Sequence, residues 1–298
     1  MTLPRRVTVV EVGPRDGLQN EAARVATADK IAFVDRLSAA GFPVIEAGAF
    51  VSPKWVPQMA DAAQIFAGIT RRPGTRYSAL VPNLPGLERA HEAGVTDVAV
   101  FAAASDTFSQ KNINQTIAGS LDVYRAVTER ALALGMRVRG YVSTAFGCPF
   151  EGDVPASKVA DVSAALIEMG AFEVAVSDTI GIAHPGQVPR VVGAVAERVP
   201  LERIALHFHD TRGTALANVL ASLELGVTTY DASAGGLGGC PYAPGATGNL
   251  ATEDLIFMLN GLAIETGVDL DAVIDASRSI EPLVGHLLPS RYYRAEQG

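Results

Sequence analysis

Eight short apolar, β-branched runs, each followed by a longer stretch of helical pattern, leave this chain few folds to choose from. The runs read VTVVEV (7–12), PVIEAGAF (43–50), RYSALVP (76–82), DVAVFAA (97–103), RVRGYVS (137–143), FEVAVSD (172–178), RIALHFH (203–209) and TTYDASA (228–234). Strands of near-continuous apolar character that alternate with helices imply a parallel sheet. Eight such units in about 250 residues imply a closed (β/α)8 TIM barrel rather than an open doubly wound sheet. No GxGxxG follows the first run, which argues against dinucleotide binding. Ser52-Pro53 predicts a capped helix start. Gly41, Gly94, Gly135, Gly170 and Gly226 precede later strands as helix stop signals. From about Thr252 onward the pattern reads as the eighth helix plus extra C-terminal helices. With no linker or low-complexity stretch, residues 1–298 are expected to form one domain.

Composition excludes several classes of function. A net charge of −8, without a run of lysine or arginine, argues against nucleic acid or a membrane surface as partner. Two cysteines, Cys148 and Cys240, in no CxxC pattern exclude a disulfide scaffold and a four-thiolate zinc site. They fit a reducing cytoplasm. The first residues enter a strand pattern almost at once, so no signal or transit peptide is expected. No apolar run reaches the length of a membrane span.

In such barrels chemistry sits at the C-terminal ends of the strands. Arg15 and Asp16 follow the first run, Glu46 lies near the end of the second, and Asp178 ends the sixth. The seventh carries His207 and His209, two of only five histidines. Spaced two apart on a strand, both imidazoles point to one face, here the barrel interior. Because the eighth strand closes against the first, Asp16 lies only two strands away. A carboxylate from that loop and an amide oxygen such as that of Asn249 complete a mixed nitrogen–oxygen set. That set suits Mg²⁺ or Mn²⁺ with open positions better than closed tetrahedral zinc.

Asp210 falls on the opposite strand face and reads either as a support behind the ligating residues or as a helix cap. Arg15 beside a ligating aspartate supplies a cation for developing negative charge. Glu46 and Asp178 either pair with Arg15 or handle protons. Cys148 and Cys240 both occur as Gly-Cys-Pro-aromatic, and Cys240 lies in a glycine-rich loop able to fold over the mouth.

The stretches VEVGPRDGLQNE, IEAGAFVSPKWVPQMAD, GCPFEG, SDTIG, HFHDTRGTALAN and GLGGCPYAPGATGNLATED together resemble the hydroxymethylglutaryl-CoA lyases. These belong to the metal-dependent barrel lyases named for an Asp-Arg-Glu signature, and the likeness runs from about Val7 to Met258. HxHDT or GPRDG alone marks the wider superfamily of synthases and aldolases; the cysteine loop is specific to the lyases.

The resemblance implies Asp16, His207, His209 and Asn249 as ligands of a divalent cation and Arg15 as stabiliser of a thioester enolate. It places Glu46 and Asp178 in the catalytic constellation and makes Cys240 a mobile-loop thiol. An acyl-CoA substrate is implied. Ala49 and Ala175 replace serines frequent in that family, and Arg212 a tyrosine, so a different acyl group is left open. Arg212 is expected to reach a substrate carboxylate or phosphate, and Lys111 and Asn112 to contact CoA. Homodimeric assembly is compatible with this reading.

Overall fold

All eight runs become strands of one closed parallel barrel in order β1 to β8. The strands are β1 (Thr8–Glu11), β2 (Val44–Ala49), β3 (Arg76–Leu80), β4 (Asp97–Ala103), β5 (Arg137–Ser143), β6 (Glu173–Asp178), β7 (Ile204–Phe208) and β8 (Thr229–Ala232). The structure, a computed structural model, describes residues 3–239 and 248–297. Helices α1 (Thr27–Ala39), α2 (Ala62–Gly68), α3 (Leu84–Glu92), α4 (Asp106–Ile113) and α5 (Ile117–Ala133) lie in the first half of the chain. They are followed by α6 (Ala156–Glu168), α7 (Val188–Ala196), α8 (Ala215–Leu223), α9 (Thr252–Gly261), α10 (Leu270–Val284) and α11 (Arg291–Ala295). The last two are the extra C-terminal helices, and α10 packs against α1.

The apolar core lies mainly between sheet and helices, where Val9, Ile45, Ala79, Val98, Val174 and Leu206 point outward from their strands. Inside the barrel Val10, Val12 and Val44 form a small separate cluster. The rest of the interior is largely polar. Register decides what meets there: Ser177 pairs with His207, and His207 with Asp231. An irregularity in β2 between Glu46 and Gly48 shifts the register as Glu46 turns inward.

The five expected stop glycines all adopt left-handed φ, between 72° and 112°. Ser52-Pro53 does not start a helix. Trp55 and Val56 both donate to the Ser52 carbonyl at 3.0 Å, closing a single turn. Val56, at φ −131° and ψ 78°, precedes Pro57 and is pushed out of helical geometry, so α2 begins only at Ala62.

Candidate active site

The floor of the barrel mouth is built by two loops and one strand. After β1 the chain makes a single wide turn over Gly13–Gly17, in which the Val12 carbonyl accepts from Arg15, Asp16 and Gly17. Such π-type turns recur at functional sites; this one aims Arg15 and Asp16 back over the barrel. Gly17 is needed there because a Cβ would lie 2.9 Å from Leu237 Cβ and 2.8 Å from Ser233 Oγ. His207 points inward from β7, and His209 follows just beyond the strand, bridged to Asn249. Arg15, Asp16, His207 and His209 line the base of a cavity of about 750 Å³, with Lys111 and Asn112 toward its rim.

Asp16, His207 and His209 each offer one ligand atom within 4.8 Å of the others. Nδ1 of His209 and Oδ1 of Asn249 are buried without a hydrogen-bond partner. Unpaired buried polar atoms are costly, and two on adjacent residues in one pole call for a shared partner. The Asn249 amide is fixed by donating Nδ2 to the Leu237 carbonyl at 3.0 Å. Two imidazoles, a carboxylate and an amide oxygen fit a divalent cation.

The charge states of His209 and Asp16 agree with that fit. Burial and the neighbouring His207 push His209 down to about 4, so its ring is neutral and able to ligate. Asp16 is opposed by burial, yet Arg15 and the two histidines bring it down to about 2. Burial also opposes a charged His207, but a 3.1 Å contact from Nδ1 to Asp231 raises its pKa and turns Nε2 toward Asp16.

Arg15 is buried between Glu46, which accepts from its Nε, and Asp16, which accepts from Nη1. Glu46 does not line the cavity; its second oxygen accepts from the Tyr141 hydroxyl at 2.8 Å. Of the two readings of Glu46, pairing with Arg15 is the one observed.

Asp178 does not join this group. Strand parity turns it away from the mouth, where its oxygens accept from the Ile182 and Ala183 amides at 2.9 and 3.0 Å. Burial raises it to about 6, and those amides oppose the rise. Ser177, one residue earlier, faces the cavity instead.

Arg212 is also placed elsewhere: exposed, it donates to the Ile180 and Gly181 carbonyls at 3.0 and 2.8 Å and does not line the cavity. Ala49 and Ala175 are fully buried and, like Arg212, are not among the residues that line it. Asp210 caps α8, accepting from Ala215 N at 2.9 Å. Cys148 is buried, its Sγ 3.0 Å from Ser105 Oγ. Cys240 lies outside the described residues.

Arg139, Tyr141 and Asp231 were not anticipated, and all three sit inside the barrel. The alternation Arg137, Arg139, Tyr141, Ser143 in the fifth run was the available signal, because period two puts such residues on one face.

Barrel, mouth and ligand set define a (β/α)8 enzyme built around a candidate divalent-cation site. The HMGL-like family model matches residues 6–280, and the chain belongs to that family. It is 56% identical over 295 residues to a Pseudomonas aeruginosa protein named 3-hydroxy-3-isohexenylglutaryl-CoA/hydroxy-methylglutaryl-CoA lyase, covering 99% of this chain and 98% of the relative. A hydroxymethylglutaryl-CoA lyase of Bacillus subtilis is 50% identical, over 98% of this chain and 97% of the relative. Among solved structures, a hydroxymethylglutaryl-CoA lyase from Pseudomonas aeruginosa superposes with a TM-score of 0.98 at 55% identity, covering 100% and 99% of the two chains. An Acinetobacter baumannii HMG-CoA lyase in complex with coenzyme A and 3-methylmalate gives 0.94 at 42%, covering 99% and 96%.

Proposed function

We infer that this chain is a carbon–carbon lyase that splits 3-hydroxy-3-methylglutaryl-CoA into acetyl-CoA and acetoacetate. The observation that carries this is the convergence of Arg15 with Asp16, His207 and His209 at the base of one cavity, in a chain whose full length matches such lyases.

Asp16, His207, His209 and Asn249 would hold Mg²⁺ or Mn²⁺, whose charge lowers the pKa of an adjoining hydroxyl. Asp16 is the one carboxylate among the described lining residues, and Arg15 helps keep it ionised, so it takes the proton of the tertiary hydroxyl in this reading. The bond between that carbon and the thioester α-carbon then breaks. Its electron pair leaves a ketone on one fragment and an enolate on the other. Arg15, permanently charged and held by Glu46, stabilises the enolate oxygen. Cys240, from the glycine-rich loop, is proposed to deliver the proton that the α-carbon requires.

Toward the rim Lys111, stacked 3.9 Å over the Phe150 ring, and Asn112 are proposed to contact CoA, with the exposed Trp55 on the same cavity. The Acinetobacter baumannii relative's complex with coenzyme A supports an acyl-CoA ligand. No helix among the described residues is long and apolar enough to cross a membrane. A free buried thiol supports the cytoplasm as compartment. A single catalytic domain and a homodimer complete the proposal.

A panel of hydroxyacyl-CoAs, incubated with the protein and Mg²⁺ and analysed by mass, tests it. Acetoacetate is expected from 3-hydroxy-3-methylglutaryl-CoA; turnover of other esters with none of this one would refute it.

A further inference from the structure

Beneath the cavity floor one guanidinium reaches both halves of the site. Arg139 projects from β5 into the barrel and is buried. It donates through Nη1 and Nη2 to Asp231 at 3.1 and 2.8 Å, through Nη1 to the Tyr141 hydroxyl at 3.0 Å, and through Nε to Glu173 at 2.8 Å. Two arms lead upward from there. Asp231 meets Nδ1 of His207 at 3.1 Å. Tyr141 donates to Glu46 at 2.8 Å, and Glu46 accepts Arg15 on its other oxygen. Neither Arg139 nor Asp231 lines the cavity, so each acts on a bound molecule only through another side chain.

The chemistry of a ligating imidazole says what this arrangement is for. A neutral ring that offers Nε2 must carry its proton on Nδ1, and a carboxylate at Nδ1 selects that tautomer and fixes the ring plane. Asp231 can do so only while its own rotation is blocked, and the guanidinium fork occupies both its oxygens. The same fork fixes the Tyr141 hydroxyl, which then has one acceptor left to address, the Glu46 oxygen. Stability alone would not require this: buried carboxylates and a guanidinium cost desolvation that apolar packing avoids.

Resting on the cation-site reading above, we propose that Arg139 is a positioning residue for two partners at once. It orients His207 through Asp231 and Arg15 through Tyr141 and Glu46.

Three substitutions separate the arms, with Mn²⁺ affinity by calorimetry, the His207 tautomer by ¹⁵N NMR of cation-free protein, and kcat and KM as readouts. Asp231→Asn puts an amide where an acceptor must serve both His207 and Arg139; it is expected to weaken Mn²⁺ about ten- to a hundredfold and to scramble the tautomer. Tyr141→Phe should leave Mn²⁺ affinity and tautomer as in wild type and lower kcat with little change in KM. Arg139→Lys keeps the charge but not the fork, and should show both losses.

A wild-type His207 whose neutral ring carries its proton on Nε2 would overturn the proposal. So would Arg139→Lys with wild-type affinity and kcat, or isosteric variants that fail to split in this way. If Arg139→Lys does not fold, the two isosteric variants decide. A wild type that binds no Mn²⁺ at all would instead refute the cation-site reading, and the tautomer would still decide the Asp231 arm.

Discussion

Arg15, buried, permanently cationic and clamped by two carboxylates, is the residue proposed to handle the developing charge. Replacing it by glutamine removes the charge but not the ligands. Arg15→Gln should bind Mn²⁺ no more weakly than wild type while kcat falls about a hundredfold or more, a barrier increase of about 2.7 kcal/mol, as for loss of an oxyanion donor. His207→Ala should show the reverse order of effects, with cation affinity lost first; calorimetry on both variants separates them. Equal affinity in His207→Ala and wild type would contradict the ligand assignment. Most of these side chains were legible because spacing in a strand dictates direction: His207 and His209 had to share a face. The same rule applied to Asp178 would have turned it outward, since Ser177 is the residue of that pair in register with His207. Arg212 misled for another reason. A solvent-facing arginine finds the nearest backbone carbonyls, and sequence does not say which loop will supply them.

At the scale of elements, the stems of the loop that carries Cys240 are closed by a contact only glycine permits. A Cβ on Gly248, whose φ is 82°, would lie 1.9 Å from the Gly238 carbonyl oxygen. Gly248→Ala must therefore part the stems and displace the adjoining Asn249. Weaker Mn²⁺ binding and lower kcat are expected with a modest fall in Tm; unchanged affinity would remove Asn249 from the ligand set. Cys240→Ala should reduce kcat while leaving KM and cation affinity near wild type, the signature of a group acting in the transition state. A fully active Cys240→Ala would end the thiol's role as acid.

The edge where β1 meets β8 carries a second consequence. Glu11 accepts from the Gly13 and Ala234 amides and from Thr252, and burial pushes it up to about 8; burial likewise pushes Glu253 up to about 7. The folded chain thus holds these protons more tightly than the unfolded chain, whose carboxylates titrate near 4.5. Stability contributed by protonation is present below that value and is lost as pH rises through about 7 to 8. Melting temperature should fall over that window in wild type and fall less in Glu11→Gln. Identical pH profiles would show that Glu11 does not titrate there. Sequence hid this corner, because both glutamates pair with loop amides rather than with charges.

Over the whole molecule, the barrel was the most legible feature, since eight repeats of one pattern each vote for the same closure. Strand limits shifted by at most two residues at either end, and β4 and β5 kept the ranges 97–103 and 137–143. The polar interior was not legible from a pattern of apolar runs, because Arg139, Glu173 and Asp231 satisfy one another only once the barrel closes. Closure of the barrel brings Arg15 and the candidate cation site to one cavity, and cation-dependent cleavage of a carbon–carbon bond there is the reaction expected of it. Its most direct measurement follows 3-hydroxy-3-methylglutaryl-CoA with protein stripped by a chelator, before and after Mn²⁺ is restored. Acetoacetate and acetyl-CoA should form in equal amounts, and only once the cation is present. Equal cleavage in the chelator, or none after Mn²⁺, would contradict it.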